Sequence, residues 1–176
     1  MLFLLFALSA CPYQSDFPLD VSPKQKADSS LIGTWFSTDK SNSETLRISI
    51  HSDSVYQVIR DGKVQEGDVI SKKTVKMNGF VSSVGNRFFI NLERPGRDGK
   101  EQQKPGKSYL IAGFEISRGV KYDTLRTNIV ERNSFASYEI FKNSFGFSKT
   151  VTEKLRSGNL IYDATYSASY IRIVKK

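Results

Sequence analysis

The chain has one cysteine and one histidine among its 176 residues. A single cysteine excludes an internal disulfide, and one histidine with one thiol is too few for a clustered zinc-type site. The acidic residues form no Asp-rich loop of the kind that binds calcium, and no glycine-rich nucleotide or cofactor motif occurs. The sequence therefore predicts no metal, no cofactor and a fold stabilised by packing alone.

The residue pattern also lacks a recognisable catalytic centre. A nucleophilic hydrolase needs a nucleophile beside an oriented base, and His51 falls on the polar side of a strand-like pattern that directs it to solvent. Carboxylates such as Glu115 and Glu139 are scattered, with no spacing that pairs them. Ser-Lys or paired-carboxylate chemistry stays open, but we predict that the protein is not an enzyme and has no catalytic residue.

No hydrophobic run is long enough to span a membrane. The longest apolar segment starts at Met1, and its Leu2 to Leu8 core is far shorter than the ~20 residues of a transmembrane helix but suits a signal peptide. The segment ends in Leu8-Ser9-Ala10-Cys11, which resembles the lipobox of bacterial lipoproteins. The resemblance implies a signal peptide over residues 1–10 and a mature chain that begins at Cys11, lipidated by acyl chains such as palmitate. The usual Lys or Arg before the apolar core is absent, and an apolar N-terminal strand with a buried cysteine is the alternative.

Residues 11–30 are expected to form an extended tether. Pro12, Pro18 and Pro23 exclude a regular helix, and polar residues fill most of the positions between them. The tether would hold a domain of residues 31–176 away from the membrane.

Positive charge is concentrated in the second half of the chain. Residues 95–176 carry 15 of the 26 Lys and Arg residues but only 8 of the 18 Asp and Glu residues. A basic face of this kind attracts anionic headgroups or acidic polymers, although a net charge of +8 also simply keeps a domain soluble. No nucleic-acid-binding motif accompanies the charge, so we expect no nucleic-acid partner.

The segment Leu31-Ile32-Gly33-Thr34-Trp35-Phe36 resembles the Gly-x-Trp start of the first lipocalin strand. In lipocalins this Trp closes one end of an antiparallel barrel, and a late Arg or Lys lies across its ring. The resemblance implies that Arg172 pairs with Trp35, with the guanidinium within about 6 Å of the ring centre. With the sequence from Tyr13 onward, the segment is similar to uncharacterised lipocalin-like lipoproteins of Bacteroidetes. This similarity implies a location in the cell envelope, and the outer membrane is the expected membrane.

Alternating apolar residues predict many short strands. Strand patterns begin near residues 45, 54, 64, 87, 109, 123, 134 and 166, and Asp61-Gly62 and Asn78-Gly79 are typical of hairpin turns. In the segment after Arg87, Phe88, Ile90 and Leu92 share one face, and Phe89 and Asn91 the other. We therefore predict a mainly β protein with an antiparallel lipocalin-like (calycin) barrel.

Two segments depart from the strand pattern. Residues 95–107 contain two Pro-Gly pairs and no apolar residue, which indicates a solvent-exposed loop. Near the C-terminus, Thr150-x-x-Glu153 forms a capping box and Gly158 suits the end of a helix, so one short helix is expected, capped by Ser148 or Thr150.

Two functions follow from this sequence. The first is an envelope lipoprotein, held on the membrane through Cys11, whose barrel binds a small hydrophobic ligand or lipid. The second is a structural or protein-interaction module in the envelope whose barrel is solid and binds no ligand. The 12 Phe and 8 Tyr residues would line a cavity or fill a core equally well, so a cavity of about 300 Å3 or more in the barrel is the feature that separates them.

Overall fold

The computed structural model describes residues 14–39, 43–66, 69–94, 108–131, 134–135, 141–162 and 167–173. These residues form nine β-strands, one α-helix and the short 3-10 helix Ser29–Leu31. The elements are β1 Gln14–Ser15, β2 Gly33–Ser37, β3 Thr45–Ser52, β4 Val55–Glu66, β5 Val69–Val84, β6 Arg87–Glu93, β7 Tyr109–Ser117, β8 Tyr122–Ile129, α1 Ser144–Arg156 and β9 Ala168–Ile173.

Strands β2 to β9 close into an eight-stranded antiparallel barrel. Each strand pairs with the next one along the chain, and β9 returns to pair with β2. The two-residue strand β1 adds to the start of β7, where Gln14 pairs with Leu110. The predicted antiparallel barrel of the lipocalin-like type, with one helix, is confirmed.

The first hydrophobic core fills the inside of the barrel. In β3, Leu46 and Ile48 are buried while the intervening Arg47 is exposed, as period-two alternation predicts. Other strands contribute to the same core, whose buried members are Leu31, Trp35, Leu46, Ile48, Tyr56, Val58, Met77, Val81, Ile90, Ala112, Leu125 and Tyr170. Large side chains thus occupy the centre of the barrel.

A second hydrophobic core lies outside the barrel wall. Its buried members are Leu19, Phe80, Val84, Phe89, Tyr109, Ile111, Val130, Phe135, Phe147, Val151 and Leu160. They come from the outer faces of β5, β6 and β7, from α1, from the N-terminal segment and from the connections that follow β8 and α1. Phe89 and Asn91, which share the face of β6 opposite to Ile90, are therefore fully buried rather than solvated.

The prediction of a tether is wrong for residues 14–30. Leu19 is only 2% exposed, and its backbone amide donates a 2.8 Å hydrogen bond to Oδ1 of Asn91. Further along, the amide of Ala27 donates to the carbonyl of Asp53 at 2.8 Å. The prolines exclude a helix, as expected, but a non-helical backbone can still pack when its polar groups find partners. Residues 1–13, including the predicted signal peptide and Cys11, lie outside the described residues.

Both predicted hairpin turns lie inside strands. Asp61 is in β4, paired with Thr74 of β5 and held by an ion pair to Arg47 at 2.9 Å. Gly79 is in β5, where an added Cβ would lie 2.8 Å from the carbonyl oxygen of Asn91, so glycine is needed for close strand packing. The described turn between β5 and β6 is at residues 85–86.

The helix begins earlier than its capping box predicts. Asn143 is the N-cap, and its side chain accepts from the amide of Gly146 at 2.9 Å. The predicted end is confirmed, because Ser157 is the C-cap and Gly158 has a φ of 73°. Residues 134–135, expected in a strand, are not in one, and the rest of that segment to residue 140 lies outside the described residues.

The helices in the described part of the chain include none with the length and apolar character needed to cross a membrane.

Candidate ligand-binding site

One end of the barrel is closed by residues 25–32, which we call the closing segment. Three strand connections, at residues 53–54, 85–86 and 118–121, lie at this same end. The closing segment is tied to them and to the barrel interior. The amide of Asp28 donates to the phenol oxygen of Tyr56 at 2.5 Å, and the indole nitrogen of Trp35 donates to the carbonyl of Leu31 at 2.9 Å.

Trp35 and Arg172 meet below the closing segment. The guanidinium carbon of Arg172 lies 4.4 Å from the centre of the Trp35 ring, and Trp35 is fully buried. The guanidinium also donates to the carbonyl of Ile32 and forms an ion pair with Asp123 at 2.5 Å. Gly33 makes room for this arrangement, since it has a φ of 136° and a Cβ there would lie 3.0 Å from Cδ of Arg172.

Asp123 is the part of this arrangement that the sequence pattern did not reveal. Its hydrogen bond from Arg172 holds the pKa of the Asp123 carboxyl below its usual value. The two residues are paired across β8 and β9, so their side chains lie on the same face of the sheet. Their charges fix the guanidinium over the Trp35 ring.

A cavity of about 490 Å3 lies between the closing segment and the barrel wall. This volume is within the range of small-molecule sites in proteins. Its apolar lining consists of Leu31, Val81, Phe88, Phe114 and Ile116. The polar and charged lining consists of Gln25, Lys26, Asp28, Ser30, Tyr56, Asn86, Arg87, Glu115, Arg118, Asn128 and Tyr162, and Gly113 completes it.

Two phenylalanines line the cavity side by side. Phe88 of β6 pairs with Phe114 of β7, and their ring centres are 6.2 Å apart. Phe88 shares the inward face of β6 with Ile90, yet 49% of its surface is exposed. The exposure arises because Phe88 lies close to the β5–β6 turn, at the end of the barrel. An apolar group in the cavity would cover it.

The cavity has more positive than negative groups in its lining. The lining contains three cations, Lys26, Arg87 and Arg118, and two carboxylates, those of Asp28 and Glu115. The Asp28 carboxylate is already engaged, because it accepts hydrogen bonds from the amide and hydroxyl of Ser30 at 2.8 and 2.7 Å. The amide hydrogen bond is the main reason that the pKa of Asp28 is lowered, with the positive charge of Arg118 a smaller cause. Anionic groups are therefore favoured here.

A second, smaller cavity of about 300 Å3 lies at the other end of the barrel. Glu44 and Tyr170 are in its lining, and the Tyr170 hydroxyl donates to the buried Glu44 carboxylate. Arg60 pairs with the same carboxylate at 2.5 Å. Burial, followed by the contact with Glu44, raises the pKa of Tyr170. These groups satisfy one another, so the polar network has a structural explanation.

The structure places the predicted residues as follows. Trp35 and Arg172 are together, His51 is exposed, and Cys11 and the loop of residues 95–107 lie outside the described residues. Within the described residues, no group of three His, Cys, Asp or Glu side chains could hold a metal ion. The three cations of the cavity were missed because they come from the closing segment, the start of β6 and the β7–β8 connection, which are far apart in sequence.

No protein-family model, curated protein or solved structure matches this chain.

Proposed function

We propose that this protein is a lipid-anchored cell-envelope protein whose lipocalin-like barrel binds a small amphipathic ligand. The observation that carries the proposal is the cavity of about 490 Å3 at the closed end of the barrel. The apolar part of the ligand would cover Phe88 and Phe114, and an anionic group would lie near Arg87 and Arg118.

The exposed phenylalanine supports an apolar ligand part. Burying apolar surface contributes roughly 25 cal/mol per Å2, and Phe88 is a large side chain left half exposed next to Phe114 in a concave site. A single large apolar side chain exposed on a convex surface is common in soluble proteins and does not indicate a binding site. Here the two rings and Ile116 form a continuous apolar wall.

The lining charges support an anionic ligand group. Arg87 and Arg118 offer planar guanidinium groups that suit a carboxylate or phosphate, and Lys26 adds a third positive charge. The Asp28 carboxylate competes weakly because Ser30 occupies it. A fatty acid is the simplest ligand with both required parts.

The lipid anchor rests on the Leu8-Ser9-Ala10-Cys11 ending of the apolar segment. Gln14 is already paired with Leu110 of the barrel, and three residues of extended chain reach about 10 Å at most. An acylated Cys11 would thus hold the barrel directly at the bilayer surface, in the envelope and on the outer membrane. Incorporation of labelled palmitate should be lost in Cys11→Ser, and labelling that persists in that variant contradicts the anchor.

A solid module that binds no ligand is the second candidate. It is favoured by the filled centre of the barrel, where Trp35, Tyr56 and Leu125 are almost fully buried. Under this alternative the cavity at the barrel end would remain filled with water, and the protein would act through its surface on an envelope partner.

Calorimetric titration with dodecanoate and with dodecanol separates these candidates. We expect saturable binding of dodecanoate at one site, weakened at least about tenfold in Ile116→Trp, which fills the cavity. Ile161→Trp is the matched control, since Ile161 is 44% exposed and does not line the cavity. No binding of either compound favours the solid module.

The charge preference is tested in the same titrations. The double variant Arg87→Gln, Arg118→Gln should bind dodecanoate about tenfold or more weakly than the parent, whereas its affinity for dodecanol should be unchanged. Equal loss for both compounds would mean that the arginines shape the cavity rather than bind the anion.

A further inference from the structure

The outer wall of the barrel has two different sides. On β5, β6 and β7, outward side chains such as Phe80, Phe89 and Ile111 are buried in the second core, to which α1 and the N-terminal segment contribute. On β2, β9 and β8 the outward side chains include several large apolar residues that remain exposed. These exposed residues lie on the side of the wall that the described helix and N-terminal segment leave open.

The exposed residues form one continuous row. Phe36 pairs with Ile171 across β2 and β9, and Tyr122 pairs with Ile173 across β8 and β9. Ile171 and Ile173 are two positions apart on one strand, so they point to the same side. The exposed fractions are 46% for Phe36, 49% for Tyr122 and 64% for Ile173. Val120, 85% exposed in the β7–β8 connection, extends the row to the barrel end. We call these five residues the apolar row.

Cations flank the apolar row. Lys121 lies between Val120 and Tyr122 in sequence, Arg118 precedes Val120 by two positions, and both are exposed. Farther along β8, Arg126 is exposed opposite Glu115 of β7, so its charge is largely balanced. Aromatic and aliphatic side chains beside cations suit the interfacial region of a bilayer.

The net charge of the chain indicates which kind of surface binds the apolar row. At +8, two copies of the chain repel each other, whereas a surface of anionic headgroups attracts either one. We infer that the apolar row docks on a lipid bilayer that carries anionic headgroups, with Val120, Tyr122 and Ile173 inserted into the interface. This inference is independent of what the cavity binds.

Position-specific probes test the inference. In a chain that begins at residue 11 and carries Cys11→Ser, so that the apolar segment of residues 1–10 is absent, Val120→Cys and Phe145→Cys are each labelled with an environment-sensitive fluorophore. Phe145 is the matched control because it is 77% exposed on α1, which covers the β5–β7 wall. On phosphatidylcholine vesicles with one third phosphatidylglycerol, we expect a blue shift for the probe at 120 and none for the probe at 145. Pure phosphatidylcholine should give a much smaller shift.

Vesicle sedimentation adds a second readout. Ile173→Asp should reduce binding to the anionic vesicles at least about tenfold, whereas Phe145→Asp should leave it unchanged. The first residues of the chain are identical in all variants, so differences report on the apolar row. Equal shifts at both labelled positions, or unchanged binding of Ile173→Asp, would overturn the inference. A blue shift at position 120 that grows with protein concentration without vesicles would instead assign the row to contact between copies.

Discussion

The backbone amide of Leu19 donates a hydrogen bond to the side-chain oxygen of Asn91, and both residues are almost completely buried. The amide nitrogen of the same Asn91 side chain donates to the carbonyl of Phe80 at 3.1 Å and to the Ser82 hydroxyl at 2.8 Å. One side chain therefore joins the N-terminal segment to two barrel strands. Together with the pairing of Gln14 with Leu110 and the hydrogen bond from Ala27 to Asp53, this contact attaches residues 14–30 to the folded domain.

Asn91→Ala should lower the free energy of unfolding by about 2–4 kcal/mol, because it leaves several buried polar groups without a partner. Urea unfolding followed by circular dichroism measures the change. Asn78→Ala is the matched control, since Asn78 is exposed on β5 and should cost no more than about 0.5 kcal/mol. Similar losses for the two variants would contradict the role given to Asn91.

Arg172→Met should destabilise the barrel by about 1–2 kcal/mol, because it removes the cation from the buried Trp35 ring. The variant also leaves the Asp123 carboxylate without its ion-pair partner. Trp35 is the only Trp in the chain, so its fluorescence reports directly on this site. Arg126→Met, at an exposed position of β8, should leave both stability and emission nearly unchanged. Unaltered Trp emission in Arg172→Met would show that the guanidinium does not lie on the ring in solution.

The acid sensitivity of the barrel should depend on Asp123. The pKa of Asp123 is lower in the folded state than the unperturbed value of 3.8. Its ionised carboxylate therefore contributes fully to the stability of the fold above pH 3.8, and this contribution is lost as the pH falls through the folded-state pKa. Thermal unfolding from pH 7 to pH 2 should show a midpoint that declines below about pH 4, and less steeply in Asp123→Asn. Asp16→Asn, at an exposed position, should retain the parent's slope. An acid slope in Asp123→Asn equal to the parent's would contradict this assignment.

Gly79→Ala should lower the free energy of unfolding by about 2–3 kcal/mol, because the added methyl would lie 2.8 Å from the carbonyl oxygen of Asn91 on the next strand. Gly158→Ala provides the comparison, because it has a φ of 73° with no atom within 4 Å of the added Cβ, and should cost only about 1 kcal/mol. Chemical unfolding of both variants measures the difference. A Gly79→Ala cost no larger than that of Gly158→Ala would show that the strands can separate without penalty.

The strands were predictable where one face points into the barrel. Leu46 and Ile48 alternate with polar residues, so period two alone identifies β3. The turn signals at Asp61 and Gly79 failed because partners on neighbouring strands, absent from any local pattern, hold these residues inside β4 and β5.

The cavity could not be predicted for a related reason. Lys26, Arg87 and Arg118 belong to three separate segments, and only closure of the barrel brings them to one end. The Trp35–Arg172 pair, by contrast, was accessible from sequence because it accompanies a short motif that resembles lipocalins. Phe89 was assigned correctly to the outward face of β6, but the second core that buries it depends on distant α1.

Native mass spectrometry of the protein purified from its own host tests the central claim most directly. The account predicts one co-purified anionic amphiphile per chain, absent from Ile116→Trp and retained in Ile161→Trp. A parent protein that carries no ligand, or a ligand that remains in Ile116→Trp, would contradict binding in the cavity at the closed end of the barrel.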